Sequence, residues 1–468
     1  MSISIRRRNG CAPARLRTVA AASALSVLAA CAPKVDPQTA GNFRNAVVAG
    51  NFQAATQIAE RQAQASDGKP ELLWSLNAGA AALHAANYPS AVQALDNAET
   101  LMRASEEASF NWGSTYRFGT YDAVMVNAYK ALANLGRGDL DNARVELNRM
   151  EERQARTVAR FEAEIAAAKA DQERQMQSDP AKAQALRNAE SSPEVREQLQ
   201  ALETWRSYQP FVNPAGTYLR AIYLLNSKAP GDAEHARNLF QRVAGIASNP
   251  PVVREDMEAA RRAASGQRRG PQVWVVFENG QSPIFDQMNF TVPMPVLARG
   301  GGVTVRPVTV SMPRMVFQPA AYQAIEISGG NARATTTLVA SIEGVMASEF
   351  RARYNSLLGA AVFEALAKAA GISAVNAAGS RVGGVGGLLM EVAAVAAANV
   401  TSSDTRSWIM LPREFQAARI PVPADGKVML RTPEGAQASV TVPRDRSSIV
   451  LVKAQAAGSP LTVQVGAL

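Results

Sequence analysis

A change of texture near residue 270 constrains this chain more than any other feature. Residues 41–266 are rich in Ala, Leu and Gln, with apolar positions recurring at helical spacing. From Pro271 the text turns to Val-rich runs broken by Pro and Gly: Gln272-Val273-Trp274-Val275-Val276-Phe277, then Asn279-Gly280. Such runs read as strand and turn. Helical text returns over about 335–400. Strand text resumes at 407–411 and alternates plainly in 438–442 and 449–452. Helices gathered first and strands gathered later predict an α+β fold. The expected organisation is an α-helical domain over 41–266, then a β-rich domain over 271–468 with a Gly/Ala-rich helical hairpin inserted at about 335–400.

The helical part carries degenerate repeats. Asn51-Phe52 precedes Ala54-Ala55, and Asn87-Tyr88 precedes Ala91-Val92. Asp139-Leu140 precedes Ala143-Arg144, and Gly231-Asp232 precedes Ala236-Arg237. Each marks a tight turn followed by a small residue, where a second helix can cross the first closely. Residues 77–91 and 129–143 resemble tetratricopeptide units, and the interval from 51 to 87 is close to that repeat's period of about 34 residues. A plain antiparallel bundle is the alternative. The recurrence of small residues at one place in the unit favours repeat-like helix pairs.

Later intervals are wider, which implies insertions. One of them spans about 144–205. Residues 144–174 hold seven basic and seven acidic residues among Ala and Gln. Glu152/Arg156, Arg160/Glu164 and Lys169/Glu173 are opposite charges four residues apart. The helix breaks at Ser178-Asp179-Pro180, and a second starts with Ser192 as N-cap and Pro193 at the first position. The expectation is a charged helical hairpin, solvated rather than engaged, with a partner-binding arm as the second option.

The start of the chain reads as an address. Arg6, Arg7, Arg8, Arg15 and Arg17 precede a short apolar stretch that ends in Leu28-Ala29-Ala30-Cys31. That ending resembles the bacterial lipobox, whose Cys is acylated before cleavage. The apolar stretch is about ten residues, against the roughly 20 that span a bilayer. The expectation is a lipoprotein signal peptide over 1–30, lipidation at Cys31 and a tether over 31–40. Ala32, rather than Asp, favours the outer membrane, with the protein on its periplasmic face. Removing the five leader arginines takes the formal charge from +9 to +4. The basic balance is therefore no argument for a nucleic-acid partner. Cys11 leaves with the leader and Cys31 carries lipid, so no thiol is left for a disulfide.

Two stretches are candidates for interaction. Phe110, Trp112, Tyr116, Phe118 and Tyr121 crowd a short loop in a chain that is 6% aromatic. Trp112, Tyr116, Arg117 and Tyr121 are partner-binding candidates, since rigid aromatic area is ordered at little entropic cost. A plug that packs an insertion onto the helices is the preferred reading of the same loop. Residues 382–400 are apolar apart from Glu391 and Asn399. Gly383 and Gly387 form a small-residue face suited to helix packing or to a homo-oligomer contact. Mid-segment Glu391 would cost about 2.5–3.5 kcal/mol inside a bilayer, which argues against a membrane span.

The chemical inventory is thin. The chain has two His and two Cys, which makes a His/Cys metal centre or His-based catalysis a poor fit. His84 and His235 read as packed or surface helix residues. No H-E-x-x-H, G-x-S-x-G, S-x-x-K or P-loop pattern occurs. No catalytic residue, metal or cofactor is assigned.

Taken together, several segments carry a family resemblance. They are the lipobox, Tyr129-Lys130-Ala131-Leu132 with Gly138-Asp139 and Ala143-Arg144-Val145-Glu146, and Phe211-Val212-Asn213-Pro214 with Gly216-Thr217-Tyr218-Leu219. Phe277-Glu278-Asn279-Gly280-Gln281-Ser282-Pro283, Asp404-Thr405-Arg406-Ser407-Trp408 and Leu411-Pro412 complete the set. The chain resembles an uncharacterised family of tetratricopeptide-repeat-containing bacterial outer-membrane lipoproteins. The resemblance implies an envelope lipoprotein with helical repeats and a β-rich C-terminal domain, and brings no catalytic residues. A looser likeness, in architecture alone, is to lipoprotein activators of peptidoglycan synthases. The expected function is a lipid-anchored scaffold. Its helix pairs would offer a concave surface to a partner protein of a cell-envelope assembly. The alternative is a regulator of, or a carboxylate-based enzyme acting on, peptidoglycan or envelope glycan.

Overall fold

The computed structural model describes residues 37–64, 71–107, 116–205, 212–297, 302–378 and 405–468. Cys31, Trp112, Gly383, Gly387, the leader and most of the Gly/Ala-rich stretch lie outside the described residues. Helices come first: α1 (Pro37–Val48), α2 (Phe52–Gln64), α3 (Leu72–His84), α4 (Tyr88–Glu107) and α5 (Thr120–Gly136). They continue with α6 (Leu140–Ser178), α7 (Pro180–Glu190), α8 (Pro193–Glu203), α9 (Pro214–Asn226), α10 (Asp232–Ile246) and α11 (Pro251–Ala264). Helix α1 begins inside the stretch read as tether, so residues 37–40 are helical.

Strands follow: β1 (Gln272–Asn279), β2 (Ile284–Leu297), β3 (Val303–Val316), β4 (Glu326–Gly329), β5 (Ala332–Thr335) and β6 (Thr337–Ser341). One long helix, α12 (Ile342–Ala378), interrupts them. Then come β7 (Glu414–Pro421), β8 (Lys427–Arg431), β9 (Gln437–Thr441), β10 (Ser448–Ala454) and β11 (Thr462–Ala467). The chain is thus α+β, with helices N-terminal and sheets C-terminal.

Capping chemistry sets the helix ends. Glu71 caps α3 by accepting from Trp74 N–H at 2.7 Å. Asp179 closes α6 and opens α7, accepting from Ala181 N–H with Pro180 at the first turn. Ser192 caps α8 ahead of Pro193. The break at Ser178-Asp179-Pro180 and the Ser192 cap fall where the sequence places them, but the helix restarts at once as α7, so Ser192 opens a third helix rather than the second.

The strands build three sheets, of which two form layers. A five-stranded sheet has the order β11-β10-β1-β7-β6, and a four-stranded sheet the order β5-β4-β8-β9. Strands β1 and β10 run parallel, with Trp274 opposite Ile449, Val276 opposite Leu451 and Glu278 opposite Lys453. Side chains of a strand alternate between faces. Trp274, Val276, Ile449 and Leu451 enter the core shared with the helices. Val273, Val275, Phe277, Val450 and Val452 enter a second core with Ile327, Val428 and Leu430 of the other sheet. Covered on both faces, β1 has no polar alternation, which is why its sequence reads as one apolar run. The layers are helices, five-stranded sheet, four-stranded sheet.

A side bundle completes the molecule. The third sheet is a two-stranded ribbon, β2 with β3. It packs with α7 and α12, which in turn pack on α6. Met288, Phe290, Val292, Met294, Val310 and Met312 of the ribbon are buried, as are Phe350, Tyr354, Leu358, Val362 and Phe363 of α12. Arg353 stacks over Phe161 of α6 at 4.4 Å, and Lys182 of α7 over Phe363 at 5.6 Å. The two segments read as separate insertions therefore pack on each other.

Candidate functional site

The face on which helix pairs would receive a partner is covered by the chain's own sheet. All of α3 and every residue of α5 before Gly136 are buried. Gly466 of β11 sits so close to Leu135 that a Cβ there would lie 2.8 Å from the leucine's. Gln464 of β11 donates to the His84 carbonyl at 2.8 Å and so satisfies the last turn of α3. Ser459 donates to the Val48 carbonyl at 2.9 Å. A concave surface open to another protein, as the sequence reading expects, is not what α3 and α5 present.

Two ionic clusters sit in this junction. In the first, Glu278 of β1 accepts from Lys453 of β10 at 3.0 Å, and its Oε2 lies 2.9 Å from His84 Nε2 of α3. Lys453 also donates to the Met410 carbonyl at 3.0 Å. The side chains of His84, Glu278 and Lys453 are fully buried. Burial would raise the Glu278 carboxyl, but Lys453 and His84 overcome it and hold it at about 2. Burial lowers His84 against the pull of Glu278, so the imidazole is neutral and the ion pair is Glu278 with Lys453. His84 is ringed by Phe52 at 5.2 Å and Tyr129 at 6.2 Å.

In the second cluster, Asp256 of α11 accepts from Tyr218 OH at 2.8 Å, Trp274 Nε1 at 3.1 Å and Arg419 at 2.5 Å. Burial pushes Asp256 up to about 6, with Arg419 and both donors opposing. It is therefore ionised at neutral pH. These contacts tie α9 and α11 to β1 and β7. Both clusters are shut away from solvent, so they can hold the layers in register but cannot meet a substrate.

The aromatic loop leads to a third cluster, at the start of α5. Tyr116 and Tyr121 are 2% and 6% exposed. They do not offer a surface to a partner and instead act as the plug. Tyr116 OH and Gly119 N–H both donate to Asp122 Oδ2 at 2.8 Å. Glu349, reaching across from α12, accepts from Thr120 N–H at 3.0 Å and from the Thr120 hydroxyl. An acid from one insertion thus caps the N-terminus of a helix in the other layer. Burial pushes Asp122 up to about 8 and raises Glu349 as well. Arg117 is exposed.

An open cleft of about 450 Å³ lies between the α7–α8 turn and β2. Asn188, Ser191, Ser192, Asn289 and Thr291 make its lining polar, and Glu194 is its one carboxylate. Asn188 bridges its two sides by donating to the Pro293 carbonyl at 2.7 Å. A pair of facing carboxylates, the signature of glycoside hydrolysis, is not formed there.

Sequence reasoning gave Glu278 no role beyond its place in the resemblance and left Lys453, Asp256 and Glu349 unremarked. For Glu278 and Lys453 a signal existed, since each is one charge inside an otherwise apolar strand. Among the described residues, no group of three or more His, Cys, Asp or Glu is placed to hold a metal ion. Among the same residues, no helix is long and apolar enough to cross a membrane. Comparison of the chain with protein-family models, with curated proteins and with solved structures gives no match.

Proposed function

We propose that this protein is a lipoprotein of the bacterial outer membrane, tethered through Cys31 on the periplasmic face. In this reading it is a scaffold in a cell-envelope assembly, without a cofactor. The helix pairs α1/α2, α3/α4, α5/α6 and α9/α10 are tetratricopeptide-like units, with α11 as a terminal cap. The support lies in short turns between sequential helices and in small residues at their crossings. A Cβ on Gly79 would meet Leu95, so α3 and α4 touch through a glycine, and one on Gly136 would meet Tyr88, so α5 approaches α4 of the preceding unit in the same way.

The observation that carries the proposal is the covered inner face. With α3 and α5 sealed by β11 and β10, partner contact moves to the side bundle, where α6, α7, α8 and the ribbon expose polar surface. Such a body transmits position rather than performs chemistry. The carboxylate-enzyme alternative finds little support in the buried acids, which are consumed as caps and ion pairs.

The test of the tether is mass spectrometry of protein from its native host. The expected result is a chain that begins at residue 31 and carries acyl groups. An unacylated Cys31 or an intact leader would contradict the proposal.

A further inference from the structure

Strands β11, β6, β5 and β9 end the two layered sheets, and the first three are covered or interrupted. Strand β11 lies against α5 and β5 against β7, while β6 meets α9 and α10 and carries a bulge between Leu338 and Ala340. The last, β9, is paired with β8 alone. Thr432 N–H donates to the Ala436 carbonyl at 2.9 Å, and Val442 N–H to the Gly426 carbonyl at 2.9 Å. Hydrogen-bonded pairs alternate along an antiparallel ladder, so these two bonds fix the rest. Ala438 and Val440 turn their backbone groups to β8. Gln437, Ser439 and Thr441 turn theirs outward, where they have no backbone partner among the described residues. Nothing blunts this edge, since residues 437–441 include no proline, lysine or bulge.

An open edge accepts an added strand, and this one is complementary to itself. An antiparallel β9–β9 pair centred on Ser439 sets Ser439 opposite its own copy and Gln437 opposite Thr441 on either side. Each of these pairs brings outward N–H and C=O groups face to face and exchanges two hydrogen bonds. On the inner face Ala438 falls opposite Val440. Both are half-buried in one copy, so the apolar layer between the two sheets continues across the join. On the outer face Gln, Ser and Thr are neutral and can hydrogen-bond across the strands. Beyond the strand ends, the same register sets Glu434 of one copy beside Arg444 of the other, and the reverse. Both are exposed, and neither is ion-paired among the described residues. A slide of two residues one way puts Pro443, which has no N–H, opposite Gln437. A slide the other way separates Glu434 from Arg444.

We propose that β9 is a self-pairing edge, through which two copies of the chain join their four-stranded sheets into one continuous sheet about a two-fold axis at Ser439. Backbone groups supply the attraction, and the paired Glu434 and Arg444 select the register. The contact uses the same patch on both copies, so it closes at a dimer rather than growing into a fibre. A five-residue strand pair lies at the low end of interface sizes, so the dimer forms and parts readily. The join is remote from the side bundle, and the two surfaces can be engaged at once.

Disulfide trapping tests the register directly. Cys11→Ser with Cys31→Ser leaves the full chain without a thiol, so each added Cys reports its own position. Ser439→Cys, Gln437→Cys and Thr441→Cys are oxidised singly, and the last two also as a mixture. In the proposed register residue 439 lies about 5.5 Å from its own copy between Cα atoms, within disulfide reach. Residues 437 and 441 lie about 14 Å from their own copies and meet only each other. The expected result is that Ser439→Cys links to itself, and that Gln437→Cys links to Thr441→Cys about tenfold faster than either links alone. Glu434→Arg in both partners should slow the mixed link about fivefold, and adding Arg444→Glu should restore it. An unchanged circular-dichroism melt confirms that the variants fold. Self-linking of Gln437→Cys as fast as the mixed link means parallel pairing or random collision, and overturns the proposal. So does a mixed link indifferent to the charge reversal. Absence of any link, the result if the edge serves a foreign strand instead, overturns it as well and leaves the proposal for Cys31 untouched.

Discussion

Lys453 and Glu278 face each other across parallel strands, closed in by His84, and neither can reach water. Such a pair contributes less to stability than its distances suggest, because both charges lose their hydration. Breaking it is another matter. Lys453→Met strands a buried carboxylate and should cost about 3–5 kcal/mol in urea unfolding. Adding Glu278→Gln to that variant should recover part of the loss, and a single-mutant cost near zero would contradict the buried pairing. The acids of the junction also set opposite dependences on pH. Glu278 is held low, so its contribution is present above the ordinary carboxylate range and is lost as pH falls towards about 2. His84, lowered by burial, acts in the same sense, losing its contribution as pH falls below the usual imidazole value. Asp122 is held high at about 8. Its contribution is present below the ordinary carboxylate range and is lost as pH rises through about 8. Asp122→Asn should therefore flatten the fall in melting temperature between the ordinary carboxylate range and about pH 8. An unchanged slope over that range would show that Asp122 is not the group responsible.

Between elements, glycine decides how closely layers approach. Gly466 lets β11 lie against α5, where an added Cβ would sit 2.8 Å from that of Leu135. Gly216 of α9 is similarly pressed by Met150 and Val124. Gly466→Val should lower stability by about 1–3 kcal/mol through overpacking. Gly245, exposed inside α10 with nothing within 4 Å of its Cβ, is the control. Gly245→Ala should raise stability by about 0.5–1 kcal/mol through helix propensity alone. Chemical denaturation of the two variants checks both signs, and equal effects would contradict the packing. At this scale much was legible. The end of α6 at Ser178 and the Ser192 cap of α8 follow from local chemistry, and local chemistry is written in adjacent residues. The burial of Tyr116 and Tyr121 was open as one of two readings. What the loop lacked was any sign of Glu349, which lies far away in sequence and completes the cap.

At the scale of the molecule, the sequence announces its composition in layers but not how the layers meet. The switch near residue 270 locates the boundary between helices and strands. That β1 is covered on both faces was readable in Val273–Phe277 as a run without polar alternation. Which layer covers it was not, because the pairing of β1 with β10 and the docking of β11 on α5 join residues more than a hundred positions apart. The same holds for the side bundle, whose two halves come from the two insertions. Their meeting redirects the functional reading from the inner face of the helices to the bundle. Site-specific photocrosslinking in the native host tests that shift most directly. A photoreactive residue is placed at Ser191, Glu194 or Ala167 in the bundle, and at Gln57 or Asn97 on the outer side of α2 and α4. The account predicts capture of an envelope protein from the bundle positions and none from α2 or α4. Capture from α2 or α4, with the bundle positions silent, would contradict it.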